Sequence, residues 1–243
     1  TDAFNKMLAR MKVLDESRSE FVSNVSHELK TPMTSMKVLA DSLVGQQGVP
    51  EDLYQEFMRD ITAEIDRENR IITDLLTLVK MDKKNADLQI QHMSINQLLE
   101  DILKRLRPIA DKRNIDLILD SFRPVEADVD ELKFTSAISN LVENAIKYNV
   151  DDGWVRVSLD ADHKFFYVTV ADSGMGIPED SLSRIFERFY RVDKSHSREI
   201  GGTGLGLAIT RSTIGMHHGV IKVFSKEGEG TTFSVRVPLS YIP

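Results

Sequence analysis

A histidine followed directly by a glutamate lies in the segment Ser26 to Pro32, inside a stretch with helical periodicity. An imidazole is substantially neutral near pH 7 and can act as a nucleophile, and a neighbouring carboxylate can orient it or accept its proton. His27 and Glu28 therefore have the residue types that a phosphoryl acceptor needs. A packed or solvated helix histidine is the open alternative for this pair alone.

Two glycine-rich runs downstream could hold a nucleotide. Asp172 to Ile177 follows an alternating strand pattern, and its glycines would let a ligand approach the backbone, although ordinary turns have a similar composition. Gly201 to Leu207 leads into a predicted helix, whose free N–H groups could face phosphate oxygens. The run lacks the ending of a Walker loop and no βαβ unit surrounds it. A different type of nucleotide fold is therefore predicted.

A third polar pattern lies on one face of a strongly predicted helix. Asn140, Asn144 and Lys147 recur at i, i+4 and i+7, while Leu141 and Ala145 can face the core. The Asn144 amide oxygen suits Mg²⁺, which prefers oxygen ligands, and the Lys147 ammonium could neutralise phosphate. A solvated helix face is the alternative interpretation.

Composition limits the class of protein. The 243 residues predict two domains, and the net charge of -7 does not favour nucleic-acid binding. Without cysteine there can be no disulfides, which fits a cytoplasmic location. The sequence contains no run of about 18 apolar residues, so no membrane span is predicted. Because the chain begins at Thr1, membrane attachment through upstream segments stays open.

The first third of the chain predicts two long helices that form an antiparallel hairpin. A 3-4-3-4 spacing typical of a coiled coil begins at Phe4, and Pro32 predicts a bend after His27. The second helix is expected to start at Pro50 or Glu51. One hairpin cannot cover both apolar stripes, so a dimeric four-helix bundle is predicted, with a monomeric core helix as the alternative.

The remainder predicts an α/β sandwich with helices on one face of a sheet. The predicted helices span residues 96–112, 130–148 and 204–217. The predicted strands span residues 115–119, 155–159, 165–171, 220–224 and 231–237.

Five segments, in this order, resemble the H, N, G1, F and G2 boxes of sensor histidine kinases, in particular the PhoR/WalK-like group. They are Ser26 to Pro32, Asn140 to Asn149, Asp172 to Ile177, Ile185 to Arg191 and Gly201 to Leu207. The resemblance nearly covers the chain. It implies the ATP-binding sandwich of the Bergerat type, shared with gyrase, MutL-type repair proteins and heat-shock ATPases (the GHKL class).

The resemblance also implies a domain map. Residues 1–18 would end a HAMP-like signalling coiled coil, 19–84 would form the dimerisation and histidine-phosphotransfer domain, 85–90 the linker, and 91–243 the catalytic ATP-binding domain. The parent protein is expected to be a bacterial cell-membrane receptor, with this chain as a cytoplasmic portion.

The resemblance implies roles for the reactive residues. His27 would be the phosphoacceptor and Glu28 would accept or orient its proton, while Thr31 would position water for a phosphatase reaction. Arg188 would neutralise phosphate during transfer. His217 and His218 are expected to be structural.

The same resemblance implies an ATP site that includes Mg²⁺. Asn144 would bind the metal, Lys147 a phosphate, Tyr148 the adenine ring and Asp172 the adenine amino group. The full set of implied ATP-binding residues is Asn140, Asn144, Lys147, Tyr148, Asp172, Gly174, Gly176, Ile177, Gly202, Thr203, Gly204, Leu205 and Gly206.

The predicted activity is ATP-dependent protein-histidine kinase. Its expected partners are a second copy of the chain and a response-regulator receiver domain, which supplies an acceptor aspartate. A catalytically silent nucleotide-binding scaffold is the alternative. A gyrase-type mechanical ATPase is less favoured, since it would not need the His27 hairpin.

Overall fold

The computed structural model describes residues 2–44, 48, 50–81, 88–192 and 202–242. Two compact units divide the chain, Thr1–Leu76 and Thr77–Pro243. Among the described residues, no helix has the length and apolar character needed to cross a membrane. Residues 82–87, which include the first half of the predicted linker, are not among the described residues.

Two long helices form the predicted hairpin. Helix α1 spans Asp2–Val44 and continues through Pro32, whose ring nitrogen cannot donate to the preceding turn. Helix α2 spans Glu51–Met81, and acidic residues occupy its first turn, where the positive end of the helix dipole favours them. Both helices therefore begin and end close to the predicted positions.

The apolar residues that begin the predicted coiled coil are exposed in the single chain. Phe4, Met7 and Met11 on α1 are exposed, and so are Leu53 and Ile65 on α2. Apolar side chains that recur along one helix face without cover indicate an interaction surface. The helical hairpin is confirmed, while the dimer stays a prediction.

The second unit contains a five-stranded sheet in the order β2-β4-β5-β7-β6. Strands β2 and β4 are parallel, and every other neighbouring pair is antiparallel. The strands are β2 (Asp116–Ser121), β4 (Trp154–Ala161), β5 (Phe165–Asp172), β6 (Val220–Lys226) and β7 (Gly230–Pro238). Each of the five predicted strands is present.

A separate antiparallel pair was not predicted from the sequence. Strand β1 (Ile90–Ser94) pairs with β3 (Glu126–Asp130). Strand β1 shows no apolar alternation, whereas β3 alternates polar residues with buried Ala127 and Val129, but over only five residues. Pairing between segments this far apart in the chain is a tertiary contact that such short patterns do not indicate.

Helices cover one face of the five-stranded sheet. The helices are α3 (Ile95–Asp111), α4 (Glu131–Lys147), the short α5 (Glu179–Leu182) and α6 (Gly206–Met216). Alternate residues of the central strands, such as Val157 and Val168, are fully buried and share one core with α3 and α4. The predicted α/β sandwich is therefore confirmed.

Two helix starts show the local chemistry that sets them. The Asp130 carboxylate accepts a hydrogen bond from the Lys133 N–H and caps α4. Helix α6 begins at Gly206 rather than at the predicted Gly204, because Gly204 has a φ of 69° and so lies in the left-handed region.

His217 ties the end of α6 to the start of α4, which agrees with the structural role predicted for it. Its Nε2 accepts a hydrogen bond from the Asp130 N–H at 3.0 Å. Its Nδ1 lies 2.8 Å from the Thr213 carbonyl oxygen, so Nδ1 carries the proton and donates it. Burial lowers the pKa of His217 below its ordinary value of 6.5.

We expect this histidine to make the stability of the second unit depend on pH. Since its pKa is lower in the folded state, unfolding takes up a proton around pH 6.5 and stability rises with pH. The contribution of His217 is complete above about pH 6.5 and decreases as pH falls below that value. Chemical denaturation between pH 7.5 and pH 5.5 should show a smaller loss of stability for His217→Gln than for the wild type, even if the variant is less stable throughout.

Exposed His163 provides the matched control for this prediction. His163→Gln should keep the wild-type slope of stability against pH. An unchanged slope in His217→Gln would assign the pH dependence to other groups.

Candidate nucleotide site and phosphoacceptor helix

Helix α4 presents the predicted polar face. Asn140, Asn144 and Lys147 are partly exposed, while Leu141 and Ala145 are buried in the core. The helical period produces this division, because residues three and four apart share a face. The side chains of the predicted N box are therefore directed away from the core.

The G2 box lies against this face of α4. A Cβ atom added to Gly206 would meet the Asn140 Oδ1 at 2.4 Å, and one added to Gly202 would meet the Lys147 Nζ at 2.8 Å. The Asn140 side-chain amide also donates to the Thr210 hydroxyl of α6 at 3.0 Å. A larger residue at either glycine would have to displace the end of the Lys147 or Asn140 side chain.

Asp172 ends β5 in a largely buried position, with a relative exposure of 8%. Its Oδ1 accepts hydrogen bonds from the N–H groups of Gly174 at 2.8 Å and Thr231 at 3.1 Å. Burial raises the pKa of Asp172, and these two hydrogen bonds oppose the rise. Because both bonds end on Oδ1, Oδ2 can accept a hydrogen bond from a ligand amino group.

The G1 loop docks directly onto the end of α4. The Met175 N–H donates to the Tyr148 carbonyl oxygen at 3.0 Å. A Cβ atom on Gly174 would lie 2.4 Å from the same oxygen, so this contact also requires a glycine. Asp172, predicted to bind the adenine amino group, and Tyr148, predicted to bind the adenine ring, are therefore close together.

The remaining G1 residues are fixed by the hairpin of β6 and β7. Gly176 has a φ of 70°, and a Cβ atom there would lie 2.1 Å from the Lys226 carbonyl oxygen. The Ile177 N–H donates to the Ser225 hydroxyl at 2.8 Å. The loop thus has backbone or side-chain contacts on both sides.

The surroundings of Tyr148 favour the neutral form of its phenol. Burial raises the pKa of its phenol, and the nearby charge of Arg191 opposes the rise. The Lys147 Nζ lies over the ring, 5.1 Å from its centroid, as in a cation–π contact. Lys147 and Tyr148 are therefore neighbours in space as well as in sequence.

The F and G2 boxes contact each other through backbone atoms. The Phe189 N–H donates to the Gly204 carbonyl oxygen at 2.9 Å, and a Cβ atom on Gly204 would lie 2.9 Å from the Phe189 backbone. Phe189 itself has a φ of 63°, which is unusual for an aromatic residue. This contact brings Phe189, the residue after exposed Arg188, against the G2 box.

The first turn of α6 is suited to binding an anion. Leu205 occupies the N-cap position and has no side-chain hydrogen bond to the helix. The Thr203 hydroxyl accepts a hydrogen bond from the Leu205 N–H at 3.2 Å, which shapes the turn before the helix. N–H groups at such a helix start favour phosphate. Residues 193–201, which include the first glycine of the G2 run, lie outside the described residues.

The phosphoacceptor segment lies on α1, in the other unit. His27 and Thr31 are exposed, and Glu28 is partly exposed. The Thr31 hydroxyl donates to the His27 carbonyl oxygen at 3.1 Å, one turn away. His27 therefore lies on the surface of the hairpin, where a phosphoryl donor can reach it.

Asn149, for which the sequence predicted no role, links the end of α4 to the start of β4 and to Ser173. Its amide donates to the carbonyl oxygens of Ala145 and Trp154, each at 3.0 Å. Its Oδ1 accepts from the Val150 N–H and the Ser173 hydroxyl. An asparagine directly after a predicted helix is a signal for such a turn.

Two family models match the chain, one in each unit. The model for the His Kinase A (phospho-acceptor) domain matches residues 17–84. The model for the Histidine kinase-, DNA gyrase B-, and HSP90-like ATPase matches residues 129–241. The first match contains His27, and the second contains all the predicted ATP-binding residues.

Relatives with similar sequences are sensor kinases. The chain is 35% identical to the sensor histidine kinase WalK of Bacillus subtilis over 93% of its length, and spans 37% of that protein. It is 35% identical to the sensor-like histidine kinase SenX3 of Mycolicibacterium smegmatis, again over 93% of its length, and spans 58% of that protein. The chain therefore corresponds to about half or less of these relatives.

Solved structures show the same fold. The chain of the Acinetobacter baumannii histidine kinase AdeS aligns with a TM-score of 0.70 and 21% identity, covering 88% of this chain and 98% of that one. The histidine kinase ThkA, in a complex with the response regulator protein TrrA, aligns with a TM-score of 0.76 and 24% identity. That alignment covers 95% of this chain and 63% of the other.

The close approach of Gly206 to Asn140 predicts a selective defect. In Gly206→Ala, the new methyl group should displace the Asn140 amide, because the overlap involves the end of a side chain and not backbone. We expect the affinity for ATP to fall about tenfold, with the fold retained. Isothermal titration with a non-hydrolysable ATP analogue and Mg²⁺ measures this change. Gly215→Ala, on the same helix with no atom within 4 Å of the new methyl group, should bind as the wild type does.

The two predicted sites lie in the parts of the chain that the two family models match. Helix α4, the G1 loop and the G2 glycines converge in the unit that matches the ATPase model, and the exposed His27 lies in the unit that matches the phosphoacceptor model. The chain belongs to the sensor histidine kinase family.

Proposed function

We propose that the chain transfers the γ-phosphoryl group of Mg-ATP to His27 and then to an aspartate of a response regulator. The observation that carries this proposal is the convergence of Asn140, Lys147 and Asp172 with the G1 and G2 glycines, in a chain that also exposes His27 on a helix. One chain thus contains the residues for a phosphoryl donor site and a nucleophile.

The chemistry of the first step follows from the residue types. One ring nitrogen of neutral His27 attacks the γ-phosphorus, the bond from that phosphorus to the bridging oxygen breaks, and ADP leaves with the electron pair. Glu28 accepts or orients the proton on the other ring nitrogen, which keeps the attacking nitrogen unprotonated. Arg188 stabilises the negative charge on the transferring group.

The geometry of the second unit supports a set of proposed nucleotide contacts. Asp172 accepts from the adenine amino group through Oδ2, and Tyr148 packs against the ring. Lys147 neutralises a phosphate, while N–H groups of Gly204 and Gly206 at the start of α6 donate to phosphate oxygens.

The residues present fit a Mg²⁺ ion that is held mainly by the phosphates of ATP. Among the described residues, no cluster of three or more histidine or acidic side chains could hold a metal ion. Mg²⁺ commonly keeps waters and phosphate oxygens and takes few protein ligands, so the amide oxygen of Asn144, supported by Asn140, would suffice. When bound, the ion neutralises charge on the phosphates.

Two macromolecular partners belong to the proposal. The exposed apolar residues of α1 and α2, such as Met7 and Leu53, would be covered by a second copy in a four-helix bundle. The related fold of ThkA is in a complex with a response regulator, which supports a receiver domain as the phosphoryl acceptor of this chain. Sensing and membrane attachment would belong to upstream segments, and the predicted domain boundaries are retained in the proposal.

The proposed kinase reaction predicts a labile phosphate on His27. Incubation with Mg²⁺ and γ-labelled ATP should produce an acid-labile, base-stable protein phosphate. His27→Gln should remove the label because the nucleophile is lost, and Asn144→Ala should remove most of it because Mg-ATP binding is weakened.

His163→Gln, at an exposed histidine of the catalytic unit, is the control and should retain wild-type labelling. Undiminished label in His27→Gln would refute the assignment of the phosphoacceptor. ATP binding without any label in the wild type would instead support the silent scaffold.

The phosphatase role of Thr31 predicts a separation of two activities. Thr31→Ala should slow loss of phosphate from a phosphorylated receiver domain about tenfold, because no hydroxyl positions the attacking water. Autophosphorylation should be retained. A receiver domain that the phosphorylated chain labels in vitro serves as substrate.

Thr34→Ala is a matched control, since the Thr34 hydroxyl makes the same type of bond to the carbonyl oxygen four residues earlier. Equal dephosphorylation rates in the Thr31 variant and the wild type would exclude Thr31 from this role.

A further inference from the structure

Arg113, between α3 and β2, binds the end of the helix that carries the nucleotide contacts. Its Nη1 donates to the carbonyl oxygens of Ile146 at 2.8 Å and Lys147 at 3.0 Å. Its Nη2 donates to the carbonyl oxygen of Asn149 at 2.8 Å. The last carbonyl groups of a helix lack the usual N–H partner four residues on, and Arg113 donates to two of them and to the Asn149 carbonyl just beyond the helix.

The guanidinium group is suited to this task. It is positive, planar and always charged, and the carbonyl end of a helix carries a partial negative charge. The Arg113 side chain is only 34% exposed, so solvent competes less with these bonds than at a free surface. Its contact with Asp151 at 3.0 Å contributes less, because that carboxylate is 77% exposed and exposed ion pairs are weak.

The backbone around Arg113 is itself held in place. The Arg113 N–H donates to the Ala110 carbonyl oxygen, and the Arg113 carbonyl oxygen accepts from the Asp152 N–H. The Asn114 side chain, at a residue with a φ of 51°, also donates to Asp152. The guanidinium therefore extends from an anchored turn.

The end of α4, to which Arg113 is bonded, carries the side chains of Lys147 and Tyr148. Lys147 and Tyr148 are the last helical residue and the C-cap of α4, and they contact each other. On the nucleotide side, the Tyr148 carbonyl oxygen accepts from the G1 loop through Met175. Without the Arg113 bonds, the end of α4 would keep the hydrogen bonds from Met175 and the Asn149 amide but lose those that reach it from the turn between α3 and β2.

We infer that Arg113 is a positioning residue for ATP: it fixes the carbonyl end of α4 and thereby directs Lys147 and Tyr148 towards the nucleotide. This inference rests on the proposed function, because those side chains have a nucleotide to bind only if the unit is an ATP site. Arg113 itself bonds to the carbonyl oxygens of Ile146 and Lys147 at the end of α4, to that of Asn149 just after it, and to Asp151.

The test compares Arg113→Ala with the wild type in the full chain, at a temperature well below unfolding of both. Titration with a non-hydrolysable ATP analogue and Mg²⁺ should show about tenfold weaker binding, equivalent to about 1.4 kcal/mol. In autophosphorylation, KM for ATP should rise by a similar factor while kcat stays within about twofold, because positioning affects binding of substrate and transition state alike.

Three variants separate positioning from general stability. Arg113→Lys, which keeps the charge but not the directed fork, should give an intermediate KM and keeps the test valid if the alanine variant does not fold. Asp151→Asn should bind ATP within about twofold of the wild type. Arg123→Ala removes a comparable exposed pair with Asp160 and should leave KM unchanged.

A double variant tests the route of the effect. If Arg113 acts through Lys147, the loss of affinity in Arg113→Ala with Lys147→Ala should be clearly less than the sum of the single losses. Fully additive losses would overturn the inference, and so would wild-type ATP affinity and KM in Arg113→Ala and Arg113→Lys. Failure of the wild type to bind ATP would instead refute the proposed function.

Discussion

The unsatisfied carbonyl groups at the end of α4 are the constraint around which the catalytic unit is organised. Buried or half-buried carbonyls need hydrogen-bond donors, and here the donors come from three places: the Arg113 guanidinium, the Asn149 amide and the Met175 N–H of the G1 loop. Each donor belongs to a different segment. Satisfying the helix end therefore also brings together the segments that form the candidate ATP site.

Close approach between segments is the second requirement, and glycine makes it possible. The contacts of Gly174 with the Tyr148 carbonyl oxygen and of Gly206 with Asn140 are both too short for a Cβ atom. The first contact joins the G1 loop to α4, and the second joins α6 to α4. A surface for a nucleotide thus results from backbone packed against a polar helix face, with Asp172 buried at its edge.

Much of this arrangement follows from patterns that are local in the chain. The periodicity of α4 placed Asn140, Asn144 and Lys147 on one face, and the structure has them there. The glycine runs indicated close contact correctly, although not the partner of each glycine. By contrast, the pairing of β1 with β3 was not predicted, since both strands have only five residues and lie far apart in the chain. The roles of the individual site residues in ATP binding and phosphoryl transfer stay predictions for experiment.

Residue chemistry and element type could be deduced from composition, spacing and the order of the five boxes, because helix periodicity, strand alternation and glycine content act over a few neighbouring residues. The support of the site could not be deduced in this way. Arg113 and Lys147 are 34 residues apart, and no spacing rule relates a residue after one helix to carbonyl groups at the end of the next. Folding of the whole unit is needed to bring that guanidinium to those oxygens, because a hydrogen bond requires atoms within about 3 Å whatever their separation along the chain.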